Sequence, residues 1–441
     1  MKNKSTSVAF FSFRALTIAV FPLTSLVVAL VGFGAFSTAV LAQADGIKAN
    51  SFTPEGCFWS NIGQDMPTPL VRAFGVYFTD GNFYVVGGST SDTQGSDFQH
   101  VLQLPNGCCS WIQMSDTLPD NQVSNMACGV LTVAATDLIY CVGGSAAGQT
   151  VATARVFYYN PATDTHTVLN AVDDWPGNPG SVLPGGVAVA NNKLYILGGF
   201  NINVASTNGI WEFDPNAAEG SRWTEKVNAP VGIMFAPACA INGIIYVAGA
   251  SDFQGGSIVD TTNSFSFDPV ANTIGSIAPI PRATGETRAL SFSGGMLVMG
   301  GGSVPPNPSN EVDTYDPGTN TWTTSVGVLV PAGDEGVPPF MTARRNFPTD
   351  TDGSGEIWLS GGYDLDSNPL ASLELIPSAL RASRRRDQLR HHGLGQHRIH
   401  ARNAVAPGAP IRNCGELAWR ADQISARLNV SKPEISKASK G

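Results

Sequence analysis

Six short apolar runs along this chain end in a glycine pair or a near-pair. They are Phe83–Val86 before Gly87 and Gly88, Ile139–Val142 before Gly143 and Gly144, and Leu194–Leu197 before Gly198 and Gly199. Ile245–Ala248 before Gly249, Met296–Met299 before Gly300 and Gly301, and Ile357–Ser360 before Gly361 and Gly362 complete the set. The first glycines are 56, 55, 51, 51 and 61 residues apart. A repeat of about 50 residues is one supersecondary unit that cannot bury its own apolar face, so the units must stack on one another. With 48 Gly, 29 Pro and only 14% charged residues, the composition fits short strands joined by tight turns, an all-β class, and not a disordered chain.

Two further landmarks keep step with the glycines. A proline follows each pair, usually behind an aromatic residue and Asp or Asn, as in Tyr159-Asn160-Pro161, Phe213-Asp214-Pro215, Phe267-Asp268-Pro269 and Tyr315-Asp316-Pro317. The acid or amide caps the turn and proline fixes φ. Beyond it stands a tryptophan, at Trp111, Trp223 and Trp322, with His166 and Ile274 as substitutes. Each unit then reads as four strands, a to d: the glycines close strand b, the Asp-Pro turn follows c, and d carries the tryptophan. Three landmarks in register six times resemble the kelch repeat, which implies a six-bladed β-propeller over 57–377. The expected blades are 70–115, 125–170, 183–227, 234–277, 286–326 and 340–377. The last lacks a strand d, while 57–62, with Trp59, is an orphan strand. That N-terminal strand is expected to close the last blade and so remove an exposed sheet edge.

The ends of the chain differ from this body. Lys2, Lys4 and Arg14 precede 30 uncharged residues, Ala15 to Ala44, ending in Ala42-Gln43-Ala44. This is the pattern of a cleaved export signal over 1–44, implying a periplasmic or extracellular protein that touches membrane only if the signal stays attached. The tail, 380–441, holds 13 of the 26 basic residues and no repeat landmark, and reads as a basic, disordered segment. The span 45–379 carries 10 basic and 31 acidic residues, a balance that repels phosphate backbones and argues against nucleic acid. Of seven cysteines, Cys128 and Cys141 flank a hairpin turn and are the expected disulfide; Cys239 reads as a buried thiol.

Function is expected in the loops. By resemblance, b–c and d–a connections share one face around the axial channel, the usual binding face of kelch propellers. Arg72, Arg288 and Arg344 stand at the starts of strands a in blades 1, 5 and 6, with Glu286, Asp334 and Glu335 in the same set of loops. Arginines grouped at a channel mouth suit a carboxylate, through bidentate hydrogen bonds. Some kelch propellers resemble galactose oxidase, whose copper site needs two His and two Tyr; the body offers only His100 and His166, poorly placed, so neither a copper site nor a Ser-His-Asp triad is expected. The stretch Asp350-Thr351-Asp352-Gly353 looks like part of a Ca²⁺ loop but reads better as an elongated turn. No cofactor and no metal are expected. The reading is a monomeric, non-catalytic propeller binding a protein or glycan. Its alternative is a sugar-acid mutarotase resembling the N-acetylneuraminate epimerase family, using the same arginines and Glu286.

Overall fold

The computed structural model describes residues 64–106, 110–148, 151–302, 308–325, 337, 339–353 and 355–376. The signal segment 1–44, Trp59 and its strand 57–62, Asp334, Glu335 and the tail 380–441 lie outside the described residues.

The described chain is all β apart from one 3₁₀ turn, Ala171–Asp173. Blade 1 is β1 (Phe74–Tyr77), β2 (Phe83–Val86), β3 (Val101–Leu104) and β4 (Ile112–Gln113). Blade 2 is β5 (Ala127–Val133), β6 (Thr136–Val142), β7 (Val156–Asn160) and β8 (Thr165–Val168). Blade 3 is β9 (Val182–Ala190), β10 (Lys193–Asn201), β11 (Ala205–Phe213) and β12 (Trp223–Glu225). Blade 4 is β13 (Ala238–Ile241), β14 (Ile244–Ala248), β17 (Ser264–Asp268) and β18 (Thr273–Ser276), with an added hairpin, β15 (Ser251–Gln254) and β16 (Ser257–Asp260), in its b–c connection. Blade 5 is β19 (Arg288–Phe292), β20 (Gly295–Gly301), β21 (Ser309–Asp316) and β22 (Thr321–Ser325). Blade 6 is β23 (Thr349–Thr351), β24 (Ile357–Ser360) and β25 (Leu373–Ile376). Every sheet is an antiparallel meander in chain order, as short connections require.

The six innermost strands meet in the order β1, β5, β9, β13, β19, β23 and back to β1, so the ring closes. The apolar core is divided among the seams between blades. Val76 and Tyr84 meet Ile139 and Phe157 between blades 1 and 2. Leu131 and Tyr140 meet Ile196 and Phe213 in the next seam, and Ile210 meets Ile245 and Phe267 in the third. Phe83 and Val85 meet Trp358 and Leu373 where blade 6 returns to blade 1. A lone blade would expose both faces, which is why the repeat is stable only as a ring.

The glycine pairs owe their place to these seams. A Cβ on Gly87, at φ 63°, would lie 2.6 Å from the carbonyl oxygen of Val123 in the approach to blade 2; on Gly361, at φ 61°, it would lie 2.4 Å from that of Leu70. Only glycine allows both this approach and this φ. The Gly361–Leu70 contact joins the last blade to the N-terminal side of the first.

The same junction shows what residues 64–70 do. Trp223 Nε1 donates to Asp173 O at 2.7 Å and Trp322 Nε1 to Ala278 O at 2.9 Å, each reaching the segment that follows strand d of the preceding blade. Trp111 Nε1 donates in the same way to Gln64 O at 2.9 Å. Met66 N–H donates to Ala371 O, and Leu70 N–H to Leu370 O. The N-terminal residues 64–70 therefore occupy the place that follows a strand d of blade 6.

Candidate binding site

On the b–c/d–a face the blades are tied by a collar of main-chain hydrogen bonds. Asn125 N–H donates to Arg72 O, Arg72 N–H to Asn346 O, Asn346 N–H to Glu286 O and Glu286 N–H to Phe235 O, at 2.7–3.1 Å; Ala236 N–H donates to Gly185 O. Each bond crosses from one blade to its neighbour. Arg72, Asn125, Phe235, Glu286 and Asn346 all have φ between 48° and 57°. Non-glycine residues take this conformation only where the surroundings impose it, commonly at binding sites. The collar rims a cavity at the channel entry, lined by Arg72, Asn125, Pro184, Phe235, Glu286 and Arg288, with about 40 Å³ open to a water-sized molecule.

Above the collar, blades 5, 6 and 1 build a charged cluster. Residues just before the collar pair with the residue just after the glycine pair: Val71 with Ser89, Ser124 with Ser145, Met234 with Ser251, and Arg345 with Tyr363. Serine fills that place in blades 1, 2 and 4, and tyrosine in blade 6. The Tyr363 ring is fully buried edge and body, with the Arg345 guanidinium 4.7 Å and the Arg72 guanidinium 5.4 Å from its centroid. Arg345 ion-pairs with Glu286, and Asn346 Nδ2 donates to Glu286 Oε2 at 2.6 Å. Arg72 pairs with Asp92 at 2.5 Å, and the Tyr363 hydroxyl donates to the same carboxylate. Burial, and then the hydrogen bond to Asp92, hold the phenol above its ordinary range despite Arg72 and Arg345. Asp92 is the exposed member, its side chain 62% accessible.

Of the three arginines singled out above, Arg344 stands elsewhere. Arg344 points away from the channel into blade 6, fully buried, where it pairs with Glu374 at 2.5 Å and donates to Gly361 O and Ser372 O. Arg288 lines the same cavity as Arg72 and Glu286, its guanidinium 3.8 Å from the centroid of Phe74. Near it, Asp350 accepts from Tyr77 N–H at 2.7 Å and Thr351 N–H at 2.9 Å. Desolvation raises the Asp350 carboxyl to about 7, opposed by those backbone bonds and by Arg288. Asp352, in the following turn, accepts from Gly355 and Glu356 N–H.

The Asp350 shift has a sign. Below pH ~4 both folded and unfolded chains keep the proton, and the shift has no effect. Between pH ~4 and ~7 the unfolded chain ionises first, so stability falls as pH rises. Asp350→Asn is therefore expected to gain stability relative to wild type between pH 4 and pH 8, read as the shift in urea midpoint; an unchanged difference across that range would remove the buried-acid assignment.

A model of the KLHDC2/KLHL20/DRC7 Kelch-repeats domain matches residues 129–331. Kelch-like protein terF of Aspergillus terreus is 26% identical over 195 residues, 42% of this chain and 41% of its own length. Kelch-like protein 36 of Bos taurus is 22% identical over 292 residues, 64% of this chain and 44% of its own. The solved structure titled "Structure of YjhT" superposes with a TM-score of 0.53 at 14% identity, covering 72% of this chain and 97% of that one, a likeness of fold. Residues 129–331 match a kelch-repeat model, and the chain folds as a six-bladed propeller. It spans under half the length of the curated relatives named here.

Within this kelch propeller, sequence reading found Arg72 and Glu286 but missed Asp92, Arg345, Asn346 and Tyr363. One signal was present. After the glycine pairs the chain reads Ser89, Ser145, Phe200, Ser251, Gly302 and Tyr363, and the single tyrosine in that series marks the blade that carries the cluster.

Proposed function

We propose that this chain is an exported, monomeric, non-catalytic kelch propeller that binds a protein or carbohydrate ligand over the channel mouth formed by blades 5, 6 and 1. Kelch propellers are typically protein-binding folds. One observation carries the reading: Arg72 and Arg345 flank a single buried tyrosine ring and are each balanced by a carboxylate. Aromatic and arginine side chains held rigidly at the centre of a face are what binding energy concentrates on. Asp92, the exposed carboxylate, is the group a ligand anion or hydroxyl would displace. Glu286, the acid within the collar, has its Oε2 held by both Arg345 and Asn346, an arrangement that suits a fixed positioning group. Export is supported by the leader pattern of 1–44 and by the Cys128–Cys141 disulfide, which suits an oxidising compartment.

The test has two arms. Freshly dissolved sugar acids incubated with the protein are expected to show unchanged anomer interconversion by NMR. On an array of glycans and secreted proteins, hits are expected to weaken at least ~tenfold, about 1.4 kcal/mol, in Arg72→Ala/Arg345→Ala. Acceleration of mutarotation that is lost in Arg345→Ala would instead establish the enzyme, and hits indifferent to the double variant would move the ligand off this face.

A further inference from the structure

Seven arginines fall within the described residues, and six have a carboxylate within ion-pair reach. Arg72 has Asp92, Arg155 has Asp120, Arg222 has Asp173, Arg282 has Asp313, Arg344 has Glu374 and Arg345 has Glu286. Arg288 has none. Among the described residues it also finds no hydrogen-bond acceptor for its guanidinium. The acid in its neighbourhood, Asp350, has its carboxylate engaged by the Tyr77 and Thr351 amides. Arg288 is partly buried, and desolvation pulls it down to about 9, with Asp350 working against that. A partly desolvated guanidinium with no ion-pair partner is stabilised when an anion completes it.

The geometry says where that anion would sit. Arg288 opens β19 and lines the channel cavity beneath the collar. The face of its guanidinium is taken up by Phe74, at 3.8 Å from the ring centroid. Stacking of this kind uses the π-face of the planar cation and leaves its edge N–H donors free in the plane. An in-plane fork of donors matches a planar oxyanion with two oxygens on one edge. About 40 Å³ is open there to a water-sized molecule. That is room for about three waters at ~10–15 Å³ each, enough for one small anion and far too little for a sugar acid. The other charged groups lining the cavity, Arg72 and Glu286, are already paired at the mouth.

We propose that the axial channel holds a small planar monoanion of the carboxylate type on the edge of Arg288. The site lies beside the mouth cluster, whose Arg72 and Glu286 also line the cavity, and does not depend on ligand binding there.

Sodium formate and sodium nitrate, titrated into the full chain at constant ionic strength against sodium sulfate, test this by thermal shift and isothermal titration calorimetry. Formate and nitrate are expected to give a saturable rise in Tm and a one-site isotherm; sulfate, tetrahedral and larger, is expected to give neither. Arg288→Gln should abolish the response, and Arg288→Lys, which keeps the charge but not the fork, should weaken it at least ~tenfold. Tyr363→Phe, which trims the mouth's hydroxyl but leaves both arginine–carboxylate pairs in place, should leave it intact, which distinguishes failure of this site from failure of the mouth. The same saturable response in wild type and Arg288→Lys, or no response in wild type, would overturn the assignment. Where a ligand for the face is in hand, competition by formate assigns the carboxylate to that ligand, and additive binding assigns the site to the free ion; loss of either in Arg288→Lys is required.

Discussion

Glu374→Gln is expected to destabilise the propeller by about 3–5 kcal/mol, the usual cost of removing one partner from a buried ion pair. Arg344 is fully buried, and its Glu374 partner is 1% exposed. The pair fastens three pieces of blade 6. Arg344 donates from Nη1 to Gly361 O at 2.8 Å and from Nη2 to Ser372 Oγ at 3.0 Å, while Glu374 accepts from Met341 N–H at 2.6 Å and Thr342 N–H at 3.0 Å. The glutamine amide would leave the guanidinium charge unbalanced and present N–H groups to N–H groups. The loss should appear as a lower urea midpoint. Because the two residues act as a unit, Arg344→Met combined with Glu374→Gln should cost less than the sum of the single changes. Additive losses, or a single-variant loss below ~1 kcal/mol, would show that the pair does not hold this blade.

Reduction of the Cys128–Cys141 disulfide is the second large effect, on the order of 3 kcal/mol. The bond joins directly opposed residues of β5 and β6, 13 positions apart, and a loop of about that size restricts the unfolded chain by roughly that amount in the loop-entropy account. Cys239 is buried and its thiol is pushed up by desolvation, so it is a poor competitor for exchange. Unfolding in urea with and without reductant should separate the two states, and Cys128→Ala/Cys141→Ala should match the reduced protein and lose its sensitivity to reductant. Identical midpoints with and without reductant would show that the bond contributes nothing to stability.

Much of the scaffold was legible because it is written locally and six times over. Strand b, its glycines, the Asp-Pro turn and the tryptophan lie within one repeat, so each can be checked against its copies. The reason for the glycines was only half visible: crowding could be anticipated, but not that Gly361 faces the carbonyl of Leu70, at the far end of the propeller sequence. The site was less legible still. Arg344 and Arg345 are adjacent and chemically alike, yet one enters the blade and the other faces the channel mouth, as alternation along an extended chain requires. Sequence gave no origin for that alternation, so it could not say which of the two faced the ligand side. Arg288, two residues beyond the collar residue Glu286, instead lines the channel cavity.

By itself the sequence determined the number of units and their four-strand plan, because these follow from periodicity and turn chemistry within about 50 residues, while the binding face came from the resemblance to the kelch repeat. Only the tertiary structure decided which loops meet. Arg345 and Glu286 are 59 positions apart, and Asp92 and Tyr363 are 271 apart. They touch because closure of the ring brings blade 6 against both blade 5 and blade 1. The direction of each side chain at that junction depends on packing across the seams, which no single repeat contains.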